Sequence, residues 1–358
     1  MNIRALRIAA SLALAAVTLT ACGVDASAGR SEWSVEDPVT VTLLTHDSFV
    51  ISEDQIAELA ADGIELVLLR GGDAGAVVNQ AILTKSAPDA DVLFGIDSTR
   101  LTRGLDEDLF QPFRVSSYDA LDPALLRDDQ DRVTPIDVSD VCINLDLAAF
   151  GDGLAAPTTL DDLADPAYAG MLVVQNPATS SPGLAFLFRT ISEFGEDGWQ
   201  GYWERLVAND VEITAGWEDA YYGVFSGGAG AGDRPLVVSY STSPPAEVLY
   251  SDDPDATEAP TGSMIDSCYR QVEFAGLLTN APEAIAGQQV LEYLTSVEFQ
   301  TGIALSMFVE PARTDVELPE VFVRFADRPA VPTELDAELI DSNRERWIAE
   351  WTELVLGG

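Results

Sequence analysis

The chain has 358 residues, which is longer than one ordinary compact domain. Hydrophobic residues make up 47% of it, which is enough to bury a full core. Its 60 acidic and 19 basic residues give a formal net charge of −41, which excludes a nucleic-acid surface because phosphate contacts require Lys and Arg. We interpret the acidity as a solvated surface whose field also favours cationic ligands.

The first 21 residues have the features of a lipoprotein signal peptide. Arg4 and Arg7 precede an apolar run too short to span a bilayer, and residues 19–22 (LTAC) match a site at which lipid is attached to cysteine. We therefore expect Cys22 to anchor the mature chain to the outer face of the cell membrane, with residues 22–37 as a tether. The alternative is an ordinary secretion signal and a periplasmic protein, with Cys22 incidental.

If Cys22 carries a lipid, Cys142 and Cys268 remain as an even pair. In an oxidising compartment such a pair predicts a disulfide bond. The alternative is two buried free thiols.

Strands and helices alternate along the first third of the chain. The predicted elements are a strand at 39–45, a helix at 52–61, a strand at 64–69, a helix at 74–85 and a strand at 91–94. Such alternation predicts a parallel sheet, and ligands bind beyond the carboxyl ends of such strands. Residues 45–48 (THDS) and 95–98 (GIDS) lie at two of these ends.

The rest of the chain continues the α/β pattern. Predicted strands lie at 137–145, 171–174, 236–240 and 268–277, and predicted helices begin at 159, 184, 199, 216, 283, 297 and 343. Pro182 suits the first turn of its helix, and Gly195 marks the end. We predict two α/β lobes that close by hinge motion: lobe 1 comprises 38–141 and 269–358, and lobe 2 comprises 142–268.

Six stretches together carry a family resemblance from about Val39 to the end. They are THDSF at 45–49, DVLFGID at 91–97, QNPATSSPGLAFL at 175–187, AGWEDAY at 215–221, LVVSYSTSP at 236–244 and YRQVEFAG at 269–276. In this order they resemble the thiamine-binding proteins of bacterial ABC importers, which have the type II periplasmic-binding-protein fold. The resemblance implies a binding protein, not an enzyme, that works as a monomer with a membrane permease and its ATPase.

The resemblance also implies a ligand: thiamine, thiamine monophosphate or thiamine diphosphate, with no cofactor and no metal. Thiamine combines a positively charged thiazolium ring with a flat aminopyrimidine, so aromatic faces and carboxylates suit it. The helix start at residues 179–181 offers hydroxyls and amides to a phosphate. The candidate ligand-binding residues are His46, Asp47, Ser48, Asp97, Thr179, Ser180, Ser181, Trp217, Tyr221, Tyr222, Tyr240, Thr242 and Phe308.

Structural roles remain open for the same side chains: core packing for the aromatics, turn or helix capping for the carboxylates and hydroxyls, and a strand-end position for His46. The family has a tyrosine where this chain has His46 and a tryptophan where it has Phe308, so the aromatic cage is smaller here. The alternative function within the fold is ferric-iron binding, for which Tyr221, Tyr222 and His46 are candidates. Other small solutes also remain open.

Overall fold

The computed structural model describes residues 29–151, 153–251 and 256–357. The strands within these residues are β1 Val39–Thr45, β2 Ile64–Arg70, β3 Val92–Asp97, β4 Phe110–Gln111, β5 Thr134–Asp146, β6 Leu172–Gln175, β7 Glu212–Thr214, β8 Leu236–Tyr240, β9 Thr261–Leu278 and β10 Glu310–Pro311. The α-helices are α1 Glu53–Ala61, α2 Ala74–Thr84, α3 Leu101–Asp106, α4 Leu160–Leu163, α5 Ser181–Phe194, α6 Trp199–Ala208, α7 Ser243–Leu249, α8 Ala284–Leu294, α9 Val297–Ser306, α10 Glu320–Phe325 and α11 Ala337–Leu356.

The strands form one mixed sheet in the order β2-β1-β3-β9-β5-β8-β6-β7, with β4 beside β9 and β10 beside β5. The strands β1, β2 and β3 are parallel, and so are β6, β7 and β8. Between these two groups, the long strands β5 and β9 pair antiparallel to each other. The predicted α/β class is confirmed, and the parallel groups mark two halves joined by two crossover strands.

Local capping explains why the first helices begin where the sequence predicts. The Ser52 hydroxyl accepts from the Gln55 amide, and the Gln55 side-chain oxygen accepts from the Ser52 amide, which completes a capping box at α1. Asp73 caps α2 by accepting from the Ala74 amide at 2.7 Å. These caps place the residues just before each helix at the edge of the sheet.

The Ser-Pro-Gly stretch opens α5 for a steric reason as well as for helix initiation. Pro182 occupies the first turn, as predicted. A Cβ atom on Gly183 would lie 2.4 Å from the carbonyl oxygen of Gln175, at the end of β6. Only glycine lets the helix approach the strand this closely, so the motif holds the start of α5 against the sheet.

A disulfide bond joins the two crossover strands. Cys142 of β5 and Cys268 of β9 are bonded, with Cα atoms 4.1 Å apart, so the predicted pairing is confirmed. The bond lies where the pairing of the two strands changes register, between Val141 and Ile143. The disulfide therefore ties the strands together at the point where the chain passes between the two halves.

Two large hydrophobic cores underlie the halves, a smaller cluster packs against Trp217, and the C-terminal helix α11 packs on the second large core. Its indoles, Trp347 and Trp351, contact Phe188 of α5 and Trp203 of α6 with ring centroids 5.7 and 5.3 Å apart. This position corrects the prediction that every residue after 269 belongs with the first lobe. The amphipathic pattern of α11 predicts that one face is buried, but it does not indicate which of the two cores that face packs against.

The predicted signal peptide, Cys22 and the first part of the tether lie outside the described residues. Within the described ranges, none of the helices combines the length and apolar character needed to cross a membrane.

Candidate ligand-binding site

A cavity of about 700 Å³ lies between the two halves, a size typical of small-molecule sites. Its walls come from the residues after β1, β2 and β7, from the start of α5, from the junction of β8 and α7, and from the crossover strands. The carboxyl ends of parallel strands therefore face it, as the topology requires.

The structure brings most of the predicted ligand-binding residues together. Those that line the cavity are His46, Asp47, Ser48, Thr179, Ser181, Trp217, Tyr221, Tyr222, Tyr240, Thr242 and Phe308. Asp97 and Ser180 are fully buried and do not line it. Asp97 instead accepts from the Thr99 amide at 2.7 Å and from the Ser181 hydroxyl. Its predicted ligand contact is thus corrected to a structural role behind the wall.

Trp217 forms the centre of an aromatic wall. Its ring stacks on Tyr221, with centroids 5.0 Å apart and planes inclined by 21°, and it meets Tyr222 edge to face at 5.4 Å. Tyr240 lies 6.2 Å away on the same wall. The Trp217 indole N–H donates to the Ser239 hydroxyl at 2.9 Å, which fixes the orientation of the ring.

The segment after Trp217 is a π-helical turn, Asp219–Val224, where the sequence predicts an ordinary helix. The two adjacent tyrosines of this turn lie in different environments. Tyr221 is buried and donates from its hydroxyl to Glu247 at 2.7 Å, whereas Tyr222 is half exposed. Burial and the Glu247 carboxylate raise the pKa of Tyr221, so this hydroxyl stays protonated at neutral pH. π-Helical turns are common at functional sites.

Polar side chains of the crossover strands line the same cavity and form an inner polar wall, defined as Asp137, Ser139, Gln271 and Glu273. All four are buried and line the cavity. Asp137 pairs directly with Glu273 across the strands, and Ser139 pairs with Gln271. Two carboxyl groups are thus neighbours in a nearly dry environment.

Charge interactions link this wall to the single histidine. The His46 Nε2 atom lies 3.6 Å from Glu273 Oε2. Burial by itself lowers the pKa of His46, but the charge and hydrogen bond of Glu273, together with the charge of Asp73, outweigh burial, so the net pKa is raised. Burial, followed by the charge of Glu273, raises the pKa of Asp137 well above its usual range. Burial beside a second carboxyl group therefore favours the protonated form of Asp137.

No motif in the sequence points to the inner polar wall, although a weaker signal for it exists. Asp137 and Ser139 occupy alternate positions in one buried strand, and Gln271 and Glu273 do so in another. Alternate residues of a strand face the same side, so each pair marks a polar patch on one face. Only the strand pairing shows that the two patches meet.

The two halves contact each other at the edge of the cavity. Asp73 of the first half accepts from the Trp217 amide at 3.0 Å, and the Gly75 amide donates to the Thr179 carbonyl at 3.1 Å. The buried Arg100 donates to the Pro177 carbonyl at 2.8 Å. These bonds hold the loops of the second half against the helix starts of the first.

No cluster of three or more His, Cys, Asp and Glu side chains is arranged to hold a metal ion in the part of the chain that the structure describes. The cavity of about 700 Å³ thus combines aromatic side chains with the inner polar wall.

Comparisons with known proteins identify the family and the fold of this chain. A family described as bacterial extracellular solute-binding protein matches residues 87–322. The thiamine-binding periplasmic protein of Salmonella typhimurium is 27% identical over 320 residues, covering 88% of this chain and 93% of the relative. A solved periplasmic thiamin binding protein superposes with a TM-score of 0.79 at 26% identity, covering 91% of this chain and 99% of the other.

The fold is also similar to that of a ferric binding protein from Campylobacter jejuni, with a TM-score of 0.69 at 17% identity, covering 88% of this chain and 99% of the other. This likeness concerns the fold alone. The two-lobe periplasmic-binding-protein fold expected from the sequence is confirmed by both structural comparisons.

Proposed function

Because this chain belongs to the bacterial extracellular solute-binding proteins, we propose that it binds thiamine or a thiamine phosphate in the cavity between its halves and delivers it to an ABC permease. The relatives named as thiamine-binding proteins span nearly the whole chain, which supports this ligand. Membership of this family makes it a binding protein that works outside the cytoplasm and not an enzyme.

The observation that carries the proposal is the pairing of an aromatic wall with buried carboxylates in one cavity. Trp217, Tyr222 and Tyr240 supply ring faces, and a cation over such a face gains about 0.5–2 kcal/mol. Glu273 supplies negative charge in the same cavity, and Asp137 would add to it once a bound cation displaces its proton. A carboxylate about 4 Å from a cation contributes about 4 kcal/mol at an effective dielectric constant near 20, before the cost of desolvation. A flat organic cation fits this combination.

Ferric iron is disfavoured by the state of the tyrosines. A tyrosine ligand to iron must lose its proton, but the Tyr221 hydroxyl donates to Glu247, and its pKa is raised. The pKa of Tyr222 is also raised, by burial and then by the Glu218 and Glu247 charges. Both shifts oppose the tyrosinate that iron requires.

A titration of the purified mature protein with thiamine tests the proposal. We expect saturable binding with one ligand per chain, detected by calorimetry and by quenching of Trp217 fluorescence. Trp217→Ala should weaken binding at least about tenfold, which is the loss of roughly 1.4 kcal/mol. Trp33→Ala is the matched control, because Trp33 lies on the first core outside the cavity.

Two results would overturn this function. A folded protein that binds no thiamine species at millimolar concentration contradicts the ligand. A ferric complex with a visible tyrosinate charge-transfer band would show that the site binds ferric iron instead.

We further propose that Cys22 carries a lipid that anchors a monomeric protein to the outer face of the cell membrane. The lipobox pattern at residues 19–22 supports this position. Cys22→Ala should move the protein from the membrane fraction to the soluble fraction and abolish labelling by a radioactive fatty acid. Retention of the variant in membranes contradicts the anchor. Light scattering measures the molar mass of the released protein and so tests whether it is a monomer.

A further inference from the structure

We propose that Gly75 and Arg100 are positioning residues that clasp the loop at residues 177–181 when the two halves close, and that this clasp slows the release of the bound ligand. The inference rests on the proposed function, because thiamine is the ligand whose release it concerns. Neither residue is among the described residues that line the cavity, so the clasp acts on the ligand through the loop.

The loop of the second half turns its carbonyl oxygens toward donors of the first half. The Arg100 guanidinium donates to the Pro177 carbonyl at 2.8 Å and to the Ser180 carbonyl at 3.4 Å. The Gly75 amide donates to the Thr179 carbonyl between them at 3.1 Å. One half therefore supplies three acceptors in a row, and the other half supplies the donors that receive them.

The position of Gly75 suits it to this contact. It is the second residue of α2, and amides in the first turn have no acceptor within their own helix. A Cβ atom on Gly75 would lie 2.5 Å from the Thr179 carbonyl oxygen and 2.8 Å from the Arg100 guanidinium. Glycine at this position therefore lets the two halves approach closely enough for the bonds to form.

The clasp also contains two buried groups of opposite charge. Arg100 is 1% exposed and Asp97 is fully buried. Burial lowers the pKa of Arg100, and the charge of Asp97 partly offsets this shift. Asp97 also accepts from the Ser181 hydroxyl of the loop. Because Thr179 and Ser181 line the cavity, the bonds that close the clasp also place the loop beside the ligand.

Separation of the two halves would break these bonds and open the cavity. A ligand between the halves leaves only after they separate, so a weaker clasp raises the dissociation rate. The association rate changes little, because the ligand enters before the clasp forms. The apparent affinity therefore falls with the fraction of molecules that can close.

Gly75→Ala is the sharpest test. Alanine stabilises a helix relative to glycine, but its Cβ would meet the Thr179 carbonyl oxygen whenever the halves close. We expect thiamine to dissociate about tenfold faster, as for the loss of one hydrogen bond, with no fall in the Tm of the ligand-free protein. Gly201→Ala on α6 is the matched control, because its Cβ would contact no neighbouring atom. Stopped-flow dilution of the thiamine complex of the intact mature protein, followed by tryptophan fluorescence, measures the rate.

Substitution of Arg100 tests the other donor. Arg100→Met leaves the Pro177 and Ser180 carbonyls without this donor only while the halves are closed, because water reaches them in the open form. Dissociation should again be about tenfold faster, and Arg100→Lys, which keeps a cationic donor, should show a smaller effect. Arg114→Met is the control, because the Arg114 side chain is exposed and lies away from the cavity.

The Gly75 amide provides a measurement that needs no ligand. Because a first-turn amide has no acceptor in its own helix, its hydrogen exchange, measured by NMR, reports the bond to the Thr179 carbonyl. Exchange should be about tenfold faster in Arg100→Met than in the wild type.

The outcomes separate this inference from the function on which it rests. If the wild type binds thiamine but Gly75→Ala and Arg100→Met release it at the wild-type rate, the clasp is wrong and the function stands, whatever happens to their Tm. If no thiamine species binds, the proposed function fails. Equal exchange of the Gly75 amide in the wild type and Arg100→Met then overturns the clasp as well, whereas faster exchange in the variant supports it.

Discussion

Reduction of the Cys142–Cys268 disulfide should lower the stability of the protein substantially. The bond closes a segment with a sequence separation of 126 that contains the entire second parallel group of strands. Loop-closure entropy for a segment of that length gives about 5 kcal/mol at 25 °C. For a chain of 358 residues, an unfolding entropy of about 2 cal/mol/K per residue converts this to a fall in Tm of about 7 °C.

Scanning calorimetry with and without a phosphine reductant measures this effect. The Cys142→Ala/Cys268→Ala variant is the control, because its Tm should fall once by mutation and then not respond to the reductant. A Cys22→Ser background allows the two freed thiols to be titrated, which verifies complete reduction. A fully reduced protein with an unchanged melting temperature would refute the assignment of this stability to the crossover bond.

Three further outcomes follow from the cavity. A Cβ on Gly95, where φ is +96°, would lie 2.4 Å from the His46 ring. Gly95→Ala should therefore lower the free energy of unfolding by about 2 kcal/mol, measured by thermal denaturation. Gly201→Ala, whose Cβ would contact no neighbouring atom, should not destabilise the protein. Because the pKa of His46 is raised in the folded protein, protonated His46 stabilises the fold fully below about pH 6.5, and this stabilisation is lost as pH rises through the folded-state pKa. A Tm difference between wild type and Glu273→Gln that does not shrink with rising pH contradicts this coupling. Thiamine should displace the proton of Asp137, whose pKa is raised by burial and Glu273, so affinity should rise with pH through the acid range; equal binding heats in buffers of different ionisation enthalpy would exclude proton release.

Local sequence signals located the regular elements well. The strand at Val39–Thr45 and the helix after Ser52 have the predicted positions, because alternating burial and a capping box depend on residues close in the chain. The strand Thr261–Leu278 is longer than predicted. Its first residues pair with β5 in the second half, and such long-range pairing leaves no local pattern.

In the candidate site, too, short motifs predicted some positions correctly, whereas others depended on distant contacts. Trp217 and Tyr240 were predicted from motifs at a loop and a strand end, and both line the cavity. Asp97 also lies at a strand end in the sequence. In the structure it accepts a hydrogen bond from the Ser181 hydroxyl of the other half, and it does not line the cavity. Whether a strand-end carboxylate faces ligand or protein depends on what packs against it.

The sequence by itself determined the α/β class, predicted the cysteine pair and, through motifs shared with a known family, pointed to the aromatic residues of the cavity. Periodicity, composition and short motifs act over a few residues, so they can be read without the fold. Only the tertiary structure decided that Asp137 meets Glu273 across two crossover strands, and that the indoles of α11 fill the second core. The physical reason is that burial and charge interactions depend on which distant segments become neighbours, and chain order does not encode that distance.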